Sequence, residues 1–131
     1  MVGIVIASHG EFCNGLKSSA EMIAGEAKNC ECVPLYPEDD PQQYGNKIAQ
    51  AIDKVDNGLG VLVFTDIRGG TPFNQCLFLC KEKDIRVIVG TNLPMLLIAL
   101  LNRGDDTSID ELVNEVYEDG KEAIDVIKFG G

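Results

Sequence analysis

The sequence predicts an α/β fold: a doubly wound, mainly parallel sheet of strand order 2-1-3-4 with helices on both faces. Three observations lead there. Short, β-rich apolar runs alternate with stretches whose apolar residues recur at helical spacing. The junctions between them carry turn and cap residues. The 131 residues contain no internal repeat, linker or low-complexity stretch, so the whole of 1–131 is expected to form a single domain. Strands that alternate with helices cross over to parallel neighbours and bury both faces of the sheet.

Residues 2–7 read as the first strand, apolar on consecutive positions as a strand covered on both sides must be. Phe12, Leu16, Ala20, Ile23 and Ala27 then mark a helix with one buried face. The second strand is expected over 32–36 and a turn over 37–41. Asp40-Pro41 has the form of a helix start with proline in the first position. Tyr44, Ile48, Ile52 and Val55 carry that helix, and Asn57-Gly58 ends it. The third strand is predicted over 61–65 and is followed by Asp66. Gly69-Gly70-Thr71-Pro72 opens a third helix, with Thr71 as the expected cap. The fourth strand is predicted over 85–89. A very apolar helix is expected from Pro94 through Leu101, and another begins at Thr107-Ser108 and is expected to break at Gly120. Residues 123–129 are open between strand and helix.

The net charge of −10 argues against nucleic acid or an anionic membrane as partner, because phosphate would be repelled. No basic residue precedes the short first apolar run, so no signal peptide is expected. The longest apolar run, 95–101, is far too short to span a bilayer. A soluble, cytoplasmic protein is therefore expected. The five cysteines are odd in number and form no C-x-x-C pair, so they are expected to pack as small hydrophobes.

His9 is the only histidine, and it ends the first strand. In an open α/β sheet, ligands sit beyond the carboxyl ends of the strands where the strand order reverses. With the order 2-1-3-4 that point lies between strands 1 and 3, which brings His9 beside Asp66. A carboxylate accepting the Nδ1 proton fixes the imidazole tautomer and leaves Nε2 as nucleophile. Gly69, Gly70 and Thr71 would supply backbone N–H groups and a hydroxyl at a helix start, where an anion is favoured. Together these parts predict phosphoryl acceptance on histidine. No metal cluster accompanies them and no cofactor is expected. Glu11, Asp39-Asp40 and Asp105-Asp106 are read as solvated.

The start I-V-I-A-S-H-G, the segment V-F-T-D-I-R-G-G-T-P-F-N over 63–74 and G-T-N-L-P-M-L over 90–96 carry a family resemblance. In their order and spacing the chain resembles the IIA component of the mannose family (mannose–fructose–sorbose) of the bacterial sugar phosphotransferase system. The resemblance implies that His9 receives a phosphoryl group from the phosphocarrier HPr and passes it to a IIB component during sugar uptake. It implies that Asp66 partners the histidine and that Thr71, in place of the serine of several relatives, belongs to the phosphate cradle. Many relatives continue into a IIB domain, so IIB is expected here as a separate polypeptide, with indirect membrane association through the IIC/IID permease. A homodimer is expected, both from the apolar helix 95–101 and from the family's exchange of a C-terminal antiparallel strand, for which 123–129 is the candidate.

Other readings fit less well. Histidine phosphatases place arginine before the reactive histidine and use a second histidine, whereas here Ser8 precedes His9 and no second imidazole exists. A receiver-like phospho-aspartate domain needs an acidic pair after strand 1, where Ala7-Ser8 stand. A regulatory phospho-acceptor that senses sugar supply without relaying, and a dihydroxyacetone kinase phosphotransfer subunit, remain as alternatives within related chemistry.

Overall fold

Every residue from Val2 to Ser8 is buried, as expected of a strand at the centre of a covered sheet. The computed structural model describes residues 1–130. Strands β1 (Gly3–His9), β2 (Cys30–Leu35), β3 (Val61–Thr65) and β4 (Ile85–Val89) alternate with helices α1 (Phe12–Ala24), α2 (Pro41–Val55) and α3 (Gly70–Leu79). Helices α4 (Leu93–Asn102) and α5 (Ile109–Glu122) follow β4. The sheet order is β2-β1-β3-β4, and all three pairings are parallel.

Alternate residues of β1 feed two separate cores. Ile4 and Ile6 join Leu62 and Phe64 under α1, α4 and α5, through Leu16, Ala20, Leu96, Ala99, Leu112 and Val116. Val5 and Ala7 join Val61 and Val63 under α2 and α3, through Tyr44, Ile48, Ile52 and Cys76. The two-residue period of a strand thus sorts its side chains between the two helical layers. At the amino ends of the strands the buried guanidinium of Arg103 donates to the carbonyls of Val2 (2.8 Å), Asn29 (3.2 Å) and Lys28. Burial lowers its pKa below the usual arginine range.

Several boundaries differ from the sequence reading. α1 stops at Ala24 because Gly25 leaves the helix at φ 84°. Ala27 is buried in the same core, which explains why it fitted the stripe although it lies beyond the helix. β2 starts at Cys30 and ends before Tyr36. Asp40 caps α2 as expected, its side chain accepting from the Gln43 N–H at 3.0 Å. α4 begins at Leu93 with Asn92 as cap, and α5 is capped by Ser108.

Gly120 does not break α5, which runs on to Glu122. A Cβ at Gly120 would lie 2.5 Å from Met95 Cγ, so the glycine lets α5 pack closely on α4. Helix α4 lies against both α1 and α5. Met95, Leu96 and Ala99 are buried and Leu93, Leu97, Ile98 and Leu100 partly so, which accounts within the chain for most of the apolar character of this helix. Residues 124–128 are neither strand nor helix in the single chain, and Ile124, Val126, Ile127 and Phe129 are exposed.

All five cysteines are free. Burial pushes Cys30 up to about 11 and Cys76 up to about 12, which keeps both protonated and inert, as small core residues. Among the described residues no helix is long and apolar enough to cross a membrane.

Candidate functional site

The site is built where β1 and β3 end side by side. Ala7 stands opposite Thr65 in the parallel register, so His9 and Asp66 emerge from neighbouring strands at the same level. One carboxylate oxygen, Asp66 Oδ2, accepts the backbone N–H of His9 at 2.8 Å and lies 2.8 Å from His9 Nδ1. The other, Oδ1, accepts the Ile67 N–H at 2.9 Å. The Asp66 side chain is only 14% exposed and that of His9 is 47% exposed. Burial, the largest single influence, would raise the Asp66 pKa. The bonds from the His9 N–H, the His9 ring and the Ile67 N–H together outweigh it and hold the carboxyl below its ordinary value. An ionised carboxylate can only accept, so the proton of this contact sits on Nδ1, and in the neutral form of the ring Nε2 is the nitrogen left with the free lone pair.

The turn before α3 closes over that nitrogen. Gly69 and Gly70 both have φ of 80°, a left-handed conformation that side chains resist. A Cβ at Gly70 would stand 3.1 Å from His9 Cε1 and 3.3 Å from Nε2. Glycine is therefore what permits the backbone to approach the Cε1–Nε2 edge of the ring. Thr71 is not the cap expected of it. Gly69 occupies that position without a side-chain hydrogen bond, and the helix already begins at Gly70. The paired glycines make the turn, so Thr71 falls in the first helical turn instead. Thr71 lines a cavity of about 350 Å³ together with His9, Gly10, Leu35, Tyr36, Pro37 and Asp39. The N–H groups of the first turn of a helix have no intrahelical acceptor, and α3 starts against the ring. His9, Asp66, Gly70 and Thr71 are thus brought together, with Gly69 adjacent.

Sequence reasoning missed the other wall. Leu35 pairs with His9 in the β1–β2 register, and the Leu35 carbonyl accepts the Gly10 N–H at 2.7 Å. That places the segment after β2 beside the histidine. The Tyr36 hydroxyl donates to Glu11, which also accepts from Asn14 Nδ2 at 3.1 Å. The Tyr36 bond, and secondly that of Asn14, lowers the Glu11 pKa, while the same Glu11 contact pushes Tyr36 up to about 12. Asp39 Oδ2 accepts the Tyr36 N–H at 2.8 Å. Glu11 and Asp39 are therefore held in place at the rim by hydrogen bonds, Glu11 while still exposed to solvent. Ser8, fully buried, accepts the Cys13 N–H at 2.9 Å and so ties down the first turn of α1 next to the histidine. The signal that would have found this wall is the strand order itself, since β2 is β1's other neighbour.

Comparison with known proteins bears on the family and the fold. A model of the EIIA-man family, described as PTS system fructose IIA component, matches residues 3–117. The mannose-specific EIIAB component of the phosphotransferase system of Escherichia coli (strain K12) is 36% identical over 128 residues, covering 97% of this chain. The chain spans 40% of that relative's length. The fructose-specific EIIA component of Bacillus subtilis (strain 168) is 33% identical over 117 residues, covering 88% of this chain and 80% of that protein. Among solved structures, the phosphotransferase system component EIIA from Streptococcus agalactiae superposes with a TM-score of 0.87 at 31% identity, covering 96% of this chain and 97% of the other. The mannose/sorbose specific IIA subunit from Enterococcus faecalis gives 0.88 at 27% identity, covering 99% and 97%.

Proposed function

The chain belongs to the EIIA-man family of phosphotransferase-system IIA components, and from that premise we propose that it is a phosphoryl carrier that works through His9. Nε2 accepts a phosphoryl group from phosphorylated HPr and hands it to a IIB component, which phosphorylates sugar during uptake through the IIC/IID permease. The protein acts in the cytoplasm, as a homodimer. The observation that carries the reading is the double contact of Asp66 Oδ2 with the N–H and Nδ1 of the single histidine.

The chemistry follows from that contact. The Nε2 lone pair attacks phosphorus as the donor's bond to phosphorus breaks, and the electron pair of that bond leaves with the donor. The Nδ1 proton stays on the ring, hydrogen-bonded to Asp66. The ring turns positive as the new N–P bond forms, and the Asp66 charge beside it offsets that change. The close backbone of Gly69-Gly70 and the Thr71 hydroxyl receive the phosphoryl oxygens. Transfer to IIB runs the same sequence in reverse, with a IIB nucleophile as the attacking group.

The test is to supply phosphoenolpyruvate, the general phosphotransferase enzyme and HPr, and then to locate the label. An acid-labile, base-stable phosphate that is absent from His9→Ala and is lost to added IIB is the expected result. Label that persists in His9→Ala overturns the assignment, because no second histidine exists to take over. Label that forms but stays put in the presence of a cognate IIB would instead make the protein a sensor.

A further inference from the structure

The charges around the carboxyl ends of the strands are lopsided. The loops there comprise residues 10–11, 36–40, 66–69 and 90–92, between the helices and strands that bound them. They hold the carboxylates Glu11, Glu38, Asp39, Asp40 and Asp66, and a single basic residue, Arg68. A phosphoryl group on His9 would add negative charge to an already negative rim. Three of those carboxylates are held in place by hydrogen bonds: Asp66 by His9, Glu11 by Tyr36 and Asn14, and Asp39 by the Tyr36 N–H.

Arg68 is placed and free to answer that charge. It stands in the tight turn between Asp66 and Gly69. Gly70, the residue whose backbone crowds Nε2, is two positions further on. Two residues of chain span about 7 Å at most, less than the length over which a long, flexible arginine side chain can reposition its head. Among the described residues its guanidinium forms no ion pair with a carboxylate. It is parked over the ring of Phe73, 5.6 Å from the centroid, in the first turn of α3. An exposed cation such as Arg68 is weakly held on an aromatic face, whereas a guanidinium and a phosphoryl group match as a two-pronged, charge-assisted pair.

We infer that Arg68 leaves Phe73 when His9 is phosphorylated and binds the phosphoryl oxygens. This inference rests on the His9 reading and deepens it. Arg68 is then a catalytic residue that stabilises the carried group and draws it onto the ring in preference to water. Phe73 supplies its resting place in the unphosphorylated protein.

The test is a ³¹P NMR pH titration of the phosphorylated protein, charged from phosphoenolpyruvate through HPr. A nearby cation favours the dianion, so Arg68→Gln is expected to raise the apparent second ionisation of the phosphoryl group by about one unit. Arg68→Lys should restore part of the shift, and Phe73→Leu, which removes only the resting place, should leave the titration unchanged. Identical titrations for the wild type and Arg68→Gln, both fully labelled on His9, overturn the role of Arg68 and leave the His9 reading intact. Absence of phosphohistidine in the wild type itself would overturn both.

Discussion

Replacing Asp66 by asparagine keeps the shape of the side chain and removes its charge. The amide can still accept one hydrogen bond, but it no longer offsets the positive ring or commits Nδ1 to holding the proton. Phosphoryl transfer through Asp66→Asn is expected to fall on the order of 100-fold, with the fold retained. Thr71→Ala removes one neutral hydroxyl, a bond worth roughly 1 kcal/mol, and should cost about 10-fold. Rapid-quench measurement of transfer from phosphorylated HPr checks both. Equal rates for Asp66→Asn and the wild type would dissolve the His9–Asp66 unit. The same carboxylate sets a pH dependence. Its folded pKa lies below the ordinary value, so its stabilisation is fully present above the ordinary carboxylate pKa of about 4 and is lost as pH falls through the folded value. The gap in urea midpoint between the wild type and Asp66→Asn should therefore close on acidification. His9 and Asp66 could be paired from sequence because a general rule brings those strand ends together. Tyr36 and Asp39 were not paired with them, although the strand order already set β2 beside β1, because their place also depends on the register that puts Leu35 opposite His9. Thr71 was misplaced by a local rule: threonine before proline is a good cap signal, but two consecutive glycines at positive φ took over the turn.

At the scale of the elements, caps and periodicity were legible where a polar cap met an apolar stripe. Asp40 and Ser108, where the sequence signals a start, each accept from an N–H of the following helix, whereas the cap of α4, Asn92, was not read and only Pro94 marked its start. Gly120 was misread because glycine in a helix has two meanings, breaker or close contact, and only the partner helix decides between them. The structure makes it a contact with Met95. Gly120→Ala separates the two meanings by measurement. If the glycine were only a weak spot, alanine would stabilise α5 by about 1 kcal/mol through helix propensity. If α4 and α5 are pressed together there, the added methyl overpacks the core and costs about 1–3 kcal/mol, enough to reverse the sign. A lowered thermal midpoint is expected, and a raised one would remove the close α4–α5 contact from this account.

For the whole molecule, sequence alone conveyed the sheet order and the acidic character, but not the fate of the tail. Four exposed apolar side chains at Ile124, Val126, Ile127 and Phe129 are costly to leave in water and have no strand to pair with in one chain. A homodimer with exchanged tails would cover them, and a chain cut after Glu122 is then expected to run as a monomer in light scattering at micromolar concentration. A dimer that survives the cut would count against exchange. The net charge of −10 should also speed encounter with a basic carrier, so that the association rate falls as salt is added. On the proposed reading, Asp66 holds the proton on Nδ1 and phosphate arrives on Nε2. Phosphorylation of protein labelled with ¹⁵N at histidine, followed by ³¹P–¹⁵N correlated NMR, reads this directly. Phosphorus coupled to Nε2 of His9, with Nδ1 still protonated, is the expected result. Phosphorus bonded to Nδ1, or to no imidazole nitrogen at all, would contradict it.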